Sequence, residues 1–234
     1  MAALYLIPVT LGDSPLDRVL PSFNSKKVAS IRHFIVEDVR SARRFLRKMD
    51  PAFDIDGSKF YPLNKHTDPD QVASYLEPLA GGVDMGVLSE AGCPAVADPG
   101  ADVVAIAQRR GYKVVPLVGP SSIILGVMAS GFNGQSFAFN GYLPIDSQER
   151  LHSIRLLETR SIQEKQTQIF IETPYRNNKL LEDLLEHLRP STRLCVAANL
   201  TLEEEYIRTS TIQQWRKQKP QDLSKQPCIF LIYG

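Results

Sequence analysis

The sequence predicts an α/β fold built from two domains. Short apolar runs that read as buried strands recur along the chain and alternate with longer segments of helical periodicity, the pattern of parallel sheets with crossover helices. The runs end abruptly in turn residues, as at Gly12, Gly81-Gly82 and Gly111. The regular pattern is interrupted at Val118 to Ser122, and 234 residues suffice for two small domains, placed at 1–117 and 118–234.

Taken in order, Leu4 to Val9 is a first buried strand, and Thr10 to Pro15 is a turn whose proline opens a helix through Leu20. Val28 to Ile31 is only a weak apolar run. His33 to Val36 is the second strand, with Glu37 and Asp38 at its C-terminal end. Val39 to Met49 is helical, and Arg40, Arg43, Arg44 and Arg47 share one face, either a solvated one or a phosphate-facing stripe. Asp50 to Gly57 is a loop and Lys59 to Leu63 a short strand. A helix from Pro69 to Leu79 is capped by Thr67 or Asp68. Gly86 to Leu88 is a central strand, Ala101 to Arg110 a helix and Lys113 to Leu117 a strand. The second half reads as helix Ser121–Ala129, strand Ser136–Phe139, polar helix Gln148–Glu164, strand Gln168–Glu172, helix Arg176–Leu188 and strand Leu194–Ala198. An acidic and then polar stretch, Thr201 to Arg208, precedes a short helix, Thr211–Gln218, and a last strand, Cys228–Tyr233.

Composition excludes several classes. Lys plus Arg is 27 against 26 for Asp plus Glu, a balance that argues against strong non-specific binding to nucleic acid but leaves room for a local basic patch. Three cysteines, Cys93, Cys195 and Cys228, are odd in number and far apart, which gives neither a disulfide framework nor metal spacing and fits a reducing, cytoplasmic compartment. No basic leader opens the chain, and no apolar run approaches the ~20 residues of a membrane span. Phosphate-binding Gly-rich loops and the Gly-x-Ser-x-Gly elbow are absent. Of the histidines, His33, His152 and His187 read as structural, whereas His66, in a loop after a strand, has a claim to a substrate site.

What remains is a set of strand ends. Pro8 to Asp13, Glu37-Asp38, Ser89 to Pro99, Gly119 to Ser122, Tyr142 to Pro144 and Glu172 to Pro174 each follow a strand, and parallel strands bring such ends to one edge. The stretch after Leu88 is both small (Ser89, Ala91, Gly92, Ala95) and stiffened by Pro94 and Pro99, which suits a pre-formed loop that a ligand approaches closely. Together these corners suggest a crevice for a neutral or zwitterionic cofactor held mainly by backbone groups. Pro94 is expected at the loop end rather than in a core, so that Pro94→Arg would abolish cofactor binding without unfolding the chain.

With those stretches assembled, the chain resembles the tetrapyrrole methylase superfamily, and within it the branch called ribosomal RNA small subunit methyltransferase I. Leu4 to Asp13 resembles that branch's opening strand and Pro-Ile-Gly-Asn turn, and Glu37-Asp38-Val39-Arg40 its Glu-Asp-Thr-Arg. Ser89 to Gly100 resembles its Ser-Asp-Ala-Gly-Thr-Pro followed by Asp-Pro-Gly. Val118 to Ser122 resembles its Pro-Gly-Pro-Ser, Gly141 to Pro144 its Gly-Phe-Leu-Pro, and Glu172 to Arg176 its Glu-x-Pro-His-Arg. The resemblance implies two α/β domains with a cofactor cleft between them, a homodimer, and S-adenosylmethionine as methyl donor, with no metal. By matching position it implies Pro8, Ser89, Glu90, Ala91, Pro94, Asp98, Ser121, Ser122 and Leu143 as cofactor-binding residues, with Asn199, Leu200 and Pro227 from less specific stretches. The implied activity is 2′-O-methylation of a cytidine in small-subunit ribosomal RNA. Glu37 and Asp38 are then candidate bases with Arg40 orienting them or holding a phosphate, and Glu172 and Arg176 join His66 as substrate candidates.

Two stretches depart from the branch. After Pro144, where it carries basic residues, Ile145 to Arg150 is nearly neutral, and its Arg-Glu-Leu-Thr-Lys is replaced by Asn199 to Glu203, followed by Glu204-Glu205. Transfer to another acceptor, a tetrapyrrole or small molecule, and a non-catalytic cofactor-binding module are the alternatives.

Overall fold

A computed structural model describes residues 2–63 and 67–234. The chain divides into two compact units, one ending at Ser121 and one beginning at Ser122. In the first, the elements run β1 (Ala3–Ile7), α1 (Leu16–Val19), α2 (Ser22–Val28), β2 (His33–Val36), α3 (Val39–Met49), β3 (Lys59–Pro62), α4 (Pro69–Ser74), α5 (Glu77–Ala80), β4 (Met85–Leu88), α6 (Gly100–Arg109) and β5 (Lys113–Pro116). The sheet is wholly parallel, in the order β3-β2-β4-β1-β5.

That order decides where a ligand goes. The connection from β1 to β2 passes over β4, while the one from β4 to β5 passes over β1, in the opposite direction. Right-handed crossovers therefore put their helices on opposite faces. The packing agrees: Val28, Ala42, Phe45 and Leu46 of α2 and α3 lie in one apolar cluster, and Val72, Leu79, Val103 and Ile106 of α4 to α6 in another. Adjacent strands whose loops part to opposite faces form a topological switch point, the place where open α/β sheets bind ligands. Here it lies at the C-terminal ends of β1 and β4.

Both faces of β4 are covered, so Met85, Val87 and Leu88 are buried throughout and Gly86 has no room to spare. A Cβ on Gly86 would lie 2.5 Å from Ile7 Cδ1 and 3.0 Å from Phe34 Cδ1. Gly86→Val is expected to cost about 1–3 kcal/mol of stability through overpacking, read as a lower denaturant midpoint with an unchanged m-value.

Two elements of this unit differ from the sequence expectation. The helix from Pro69 to Leu79 is broken into α4 and α5, because Pro78 lacks the N–H that a continuous helix would donate to the Ser74 carbonyl. Helix α2 was not expected: of its residues only Asn24 and Val28 are buried, and Phe23 is exposed, so no apolar stripe marks it.

In the second unit follow α7 (Ser122–Ser130), β6 (Phe137–Tyr142), α8 (Ser147–Glu164), β7 (Thr167–Ile171), α9 (Asn177–His187), β8 (Arg193–Ala198), β9 (Tyr206–Thr211), α10 (Ile212–Trp215) and β10 (Cys228–Tyr233). The sheet order is β6-β7-β10-β8-β9. The expectation of parallel strands fails here. Only β6 and β7 are parallel, and β10 runs antiparallel to both β7 and β8. Alternate side chains of β10 serve two layers: Phe230 and Ile232 join the core with α8 and α9, while Ile229 and Leu231 line the space over Gly126 of α7. Strand β9 was missed because its six residues are all half-buried and follow an acidic run. A buried ion pair, Arg150 Nη2 to Asp183 at 2.8 Å, joins α8 to α9, and the same guanidinium donates to the carbonyls of Pro144 and Ile145.

Candidate functional site

Strand register brings three of the candidate stretches together in the first unit. Val36, Leu88 and Ile7 lie side by side at the ends of β2, β4 and β1, so Glu37, Ser89 and Pro8 leave the sheet at one level. The loop after β4 is then tied to the loop after β1, with the Val9 N–H donating to the Gly92 carbonyl at 2.9 Å. Gly92 is buried at φ +73°, beside Leu11 and the Pro120 carbonyl, a position open to glycine alone without strain.

The turn at 118–121 joins the same corner. Cys93 Sγ donates to the Pro120 carbonyl at 3.4 Å, and Asn24 Nδ2 donates to the Val118 carbonyl at 2.8 Å. Gly119 passes so close to Pro8 that a Cβ there would lie 2.2 Å from the ring. These contacts keep Val118 to Ser121 with the first unit, whereas the sequence places the boundary before Val118. Asn24 was not singled out in the sequence, Gly92 was named only as a small residue of the central loop, and Cys93 only among the cysteines. Only Gly92 and Cys93, inside the central loop, carried a signal that could have found them.

Asp98 shapes the loop from within. Its Oδ1 accepts from the Gly100 N–H at 2.7 Å and the Ala95 N–H at 3.1 Å. The carboxylate thereby closes a turn in which Ala95 and Ala97 both take left-handed backbone conformations, φ 66° and 55°. Ser89 is half-buried, while Glu90 and Ala91 are exposed. Pro94 is buried, which corrects the expectation that it sits clear of any core: an arginine there would disrupt the loop's packing as well as a ligand.

Acidic groups gather at the rim. The Glu90 backbone N–H donates to the Glu37 carboxylate, and Ser41 Oγ donates to Glu90 Oε2 at 3.4 Å. Partial burial, then the charges of Asp98 and Glu90, hold Glu37 above the usual carboxylate range. Burial and Asp38 do the same for Glu90. Asp38 moves the other way. It is the N-cap of α3, its Oδ1 accepting from the Ser41 N–H at 2.7 Å, and this bond with the Ser41 hydroxyl holds its carboxyl below the usual range. Glu37 and Asp38, equivalent in the sequence, are thus chemically unlike. Arg40 is exposed on the first turn of α3. His66 lies outside the described residues, and His33 is engaged with the Tyr61 hydroxyl at 2.9 Å.

The second unit gathers its own candidates at one sheet edge. The ends of β6, β7 and β8 and the start of β10 lie together there, so Leu143, Glu172, Asn199 and Pro227 are near neighbours in register. Glu172 is buried and accepts from Arg176 Nη2 at 2.6 Å. Asn199, at φ 51°, donates from its backbone N–H to the Pro227 carbonyl at 3.0 Å and from Nδ2 to Gln226 Oε1 at 3.0 Å. Leu143 and Leu200 are buried, the former within the apolar core, so only their backbones are free to meet a ligand. Ser122 opens α7.

A profile of the Tetrapyrrole (Corrin/Porphyrin) Methylases matches residues 26–215. The chain belongs to that family. A protein named ribosomal RNA small subunit methyltransferase I from Vibrio cholerae is 32% identical over 206 residues, covering 87% of this chain and 67% of its own length. A Neisseria meningitidis serogroup B protein of the same name is 32% identical over 209 residues, with coverages of 89% and 67%. That of Escherichia coli O157:H7 is 27% identical over 236 residues, with coverages of 99% and 77%. Among solved structures, the methyltransferase CobJ aligns over 100% of this chain and 95% of its own with a TM-score of 0.65 at 16% identity. Uroporphyrin-III-C-methyltransferase from Thermus thermophilus aligns over 100% and 94% with a TM-score of 0.55, also at 16% identity. At that identity the likeness is one of fold. As a member of the tetrapyrrole methylase family the chain is a methyltransferase, with S-adenosylmethionine as its methyl donor.

The donor set of the first unit fits such a group. S-adenosylmethionine carries a sulfonium and an ammonium, and the corner offers carboxylates that raise one another's pKa, a repulsion that a cation relieves. The loop between Ser89 and Pro94 presents backbone and small side chains, which permit close approach. Among the described residues no group of three or more His, Cys, Asp or Glu could hold a metal ion, and no helix is long and apolar enough to cross a membrane.

Proposed function

We propose that this chain methylates the ribose 2′-oxygen of a cytidine in the RNA of the small ribosomal subunit. The observation that supports this acceptor is the set of relatives bearing the name ribosomal RNA small subunit methyltransferase I at up to 32% identity over most of the chain. The cytidine and the 2′-oxygen follow from the resemblance of the motifs. We take the working form to be a cytoplasmic homodimer.

When bound, the donor supplies an activated methyl group, which passes to the acceptor oxygen as the sulfonium becomes a thioether. The chain's own task is alignment, exclusion of water and removal of one proton. Pro8 and the backbone of Ser89 to Pro94 hold the donor at the switch point, with Asp98 fixing the loop. Ser121 lines the same corner. Ser122, Asn199 and Pro227, and Leu143 and Leu200 through their backbones, are the second unit's candidate cofactor contacts. Glu37 takes the hydroxyl proton. Its carboxyl is held above the usual glutamate range, which makes it a stronger base than an ordinary glutamate. Asp38 starts α3 and is the weaker base of the two, because its bonds from Ser41 hold its carboxyl below the usual range. Arg40 holds an adjoining phosphate, and Glu172 and Arg176 are the second unit's own substrate candidates. A nucleotide must leave its stack to reach such a corner.

The test is transfer of tritiated methyl from S-adenosylmethionine to small subunits from a strain lacking this protein. Digestion of the labelled RNA is expected to release 2′-O-methylcytidine. Label on a base, or in no RNA at all, would overturn the assignment.

A further inference from the structure

Helix α3 carries Arg40, Arg43, Arg44, Arg47 and Lys48 and no acidic residue in its 11 positions. The chain's formal net charge is +1, so without those five cations it would be −4. These five of the chain's 27 Lys and Arg residues lie on one side of the helix. Ala42, Phe45 and Leu46 face the core, while the four arginines and Lys48, spaced at i, i+3, i+4, i+7 and i+8, are exposed.

Helix dipole compensation accounts for only part of this, since it asks for cations in the last turn alone. Surface ion pairing does not account for it either. Among the described residues Lys48 pairs with Asp13 at 2.6 Å, but none of the four arginines has a carboxylate within ion-pair distance. Two are held in place by neutral groups instead. Arg43 stacks over the Phe60 ring at 5.4 Å, and Arg47 Nη1 donates to the Pro51 carbonyl at 3.0 Å. Exposed cations with no carboxylate within ion-pair distance form the electrostatic footprint of a polyanion site. The helix is capped by Asp38, the residue after Glu37, and Ser41 of its first turn reaches Glu90, so the cation row begins beside that corner at Arg40. From Arg40 to Arg47 it runs about 10 Å along the helix axis away from that corner. The acidic Glu203 to Glu205 stretch of the second unit offers phosphates nothing comparable.

We propose that the exposed arginine face of α3 binds the phosphates of the single-stranded RNA flanking the target nucleotide, so that a strand laid along the helix delivers its next nucleotide to Glu37. This rests on the RNA reading above. The face is a docking surface that reads phosphate, not sequence, and it sets affinity and salt dependence while the corner sets chemistry.

The test is binding of fluorescein-labelled single-stranded oligocytidylate to the full chain by anisotropy between about 50 and 200 mM salt. The triple variant Arg43→Gln, Arg44→Gln, Arg47→Gln is expected to flatten the log–log salt slope by about 2, at ~0.7 for each phosphate of a single strand left without its cation. The triple lysine variant is expected to keep the slope. Arg109→Gln with Arg110→Gln, on α6, is expected to change nothing, as is donor affinity by calorimetry in every variant. The single variants, each flattening the slope by about 0.7, carry the test if the triple glutamine chain does not fold. A steep slope in the unmodified chain that persists in the glutamine variants overturns the docking surface and leaves the RNA reading standing. A flat slope in the unmodified chain overturns the RNA reading itself.

Discussion

Glu37→Gln is expected to lower the methyl-transfer rate by roughly 10²- to 10⁴-fold, the range of general-base assistance, with little change in donor affinity. The amide keeps the size of the side chain and can still accept from the Glu90 N–H, but it cannot take a proton. The pH profile gives a sharper readout. Glu37 must be ionised to act, and its carboxyl is held above the usual range by burial and by Asp98 and Glu90. The rate of the unmodified chain should therefore fall on the acid side at a pH above that of an ordinary glutamate, and that limb should be missing from the glutamine variant. Stability should move the other way. A carboxyl whose folded pKa is raised binds more protons in the native state than in the unfolded one. It therefore costs stability as pH rises toward that value, and the cost persists above it. The variant should melt no lower than the parent at pH 7, and a marked loss of thermal stability would point to a structural role for Glu37.

Asp98→Ala is expected to weaken donor binding by about 100-fold, the equivalent of roughly 3 kcal/mol. One carboxylate oxygen accepts from the N–H groups of Ala95 and Gly100, and bonds to a charged acceptor contribute about 1.5–3 kcal/mol each. Without them nothing offsets the left-handed conformations of Ala95 and Ala97, which cost a non-glycine residue about 1–2 kcal/mol apiece. The loop would relax and the donor would have to rebuild it on binding. Asp98→Asn keeps one acceptor oxygen, and the expected loss is nearer tenfold. Calorimetry with S-adenosylmethionine checks both variants. Full affinity in Asp98→Ala would show that the loop's form does not matter to the donor.

Much of the first unit was legible in the sequence because its strands are covered on both faces. Met85 to Leu88 reads as an unbroken apolar run, and the helix after Asp38 has both a cap and a core stripe. The second unit was harder. Strand β10 is as apolar as a parallel strand although it runs antiparallel, because α7 on one side and α8 with α9 on the other bury both its faces. Its direction therefore left no mark on composition. Strand β9 shows no alternation, since no residue in it is either fully buried or fully exposed. At the candidate site, motif resemblance pointed to the stretches but could not separate the carboxylates within them. Glu37 and Asp38 are adjacent in the chain, and the Ser41 N–H on one, and partial burial with the charges of Asp98 and Glu90 around the other, set them apart. The same holds for Pro94, Leu143 and Leu200, whose burial is a matter of packing that spacing does not encode.

The most direct measurement of the central claim is a structure of the full chain with S-adenosylhomocysteine. The account predicts the ligand against the backbone of Ser89 to Pro94 and beside Pro8, at the ends of β4 and β1, with its sulfur facing the Glu37 side of the corner. Ligand bound elsewhere on a chain whose Ser89 to Pro94 loop stays closed would contradict it.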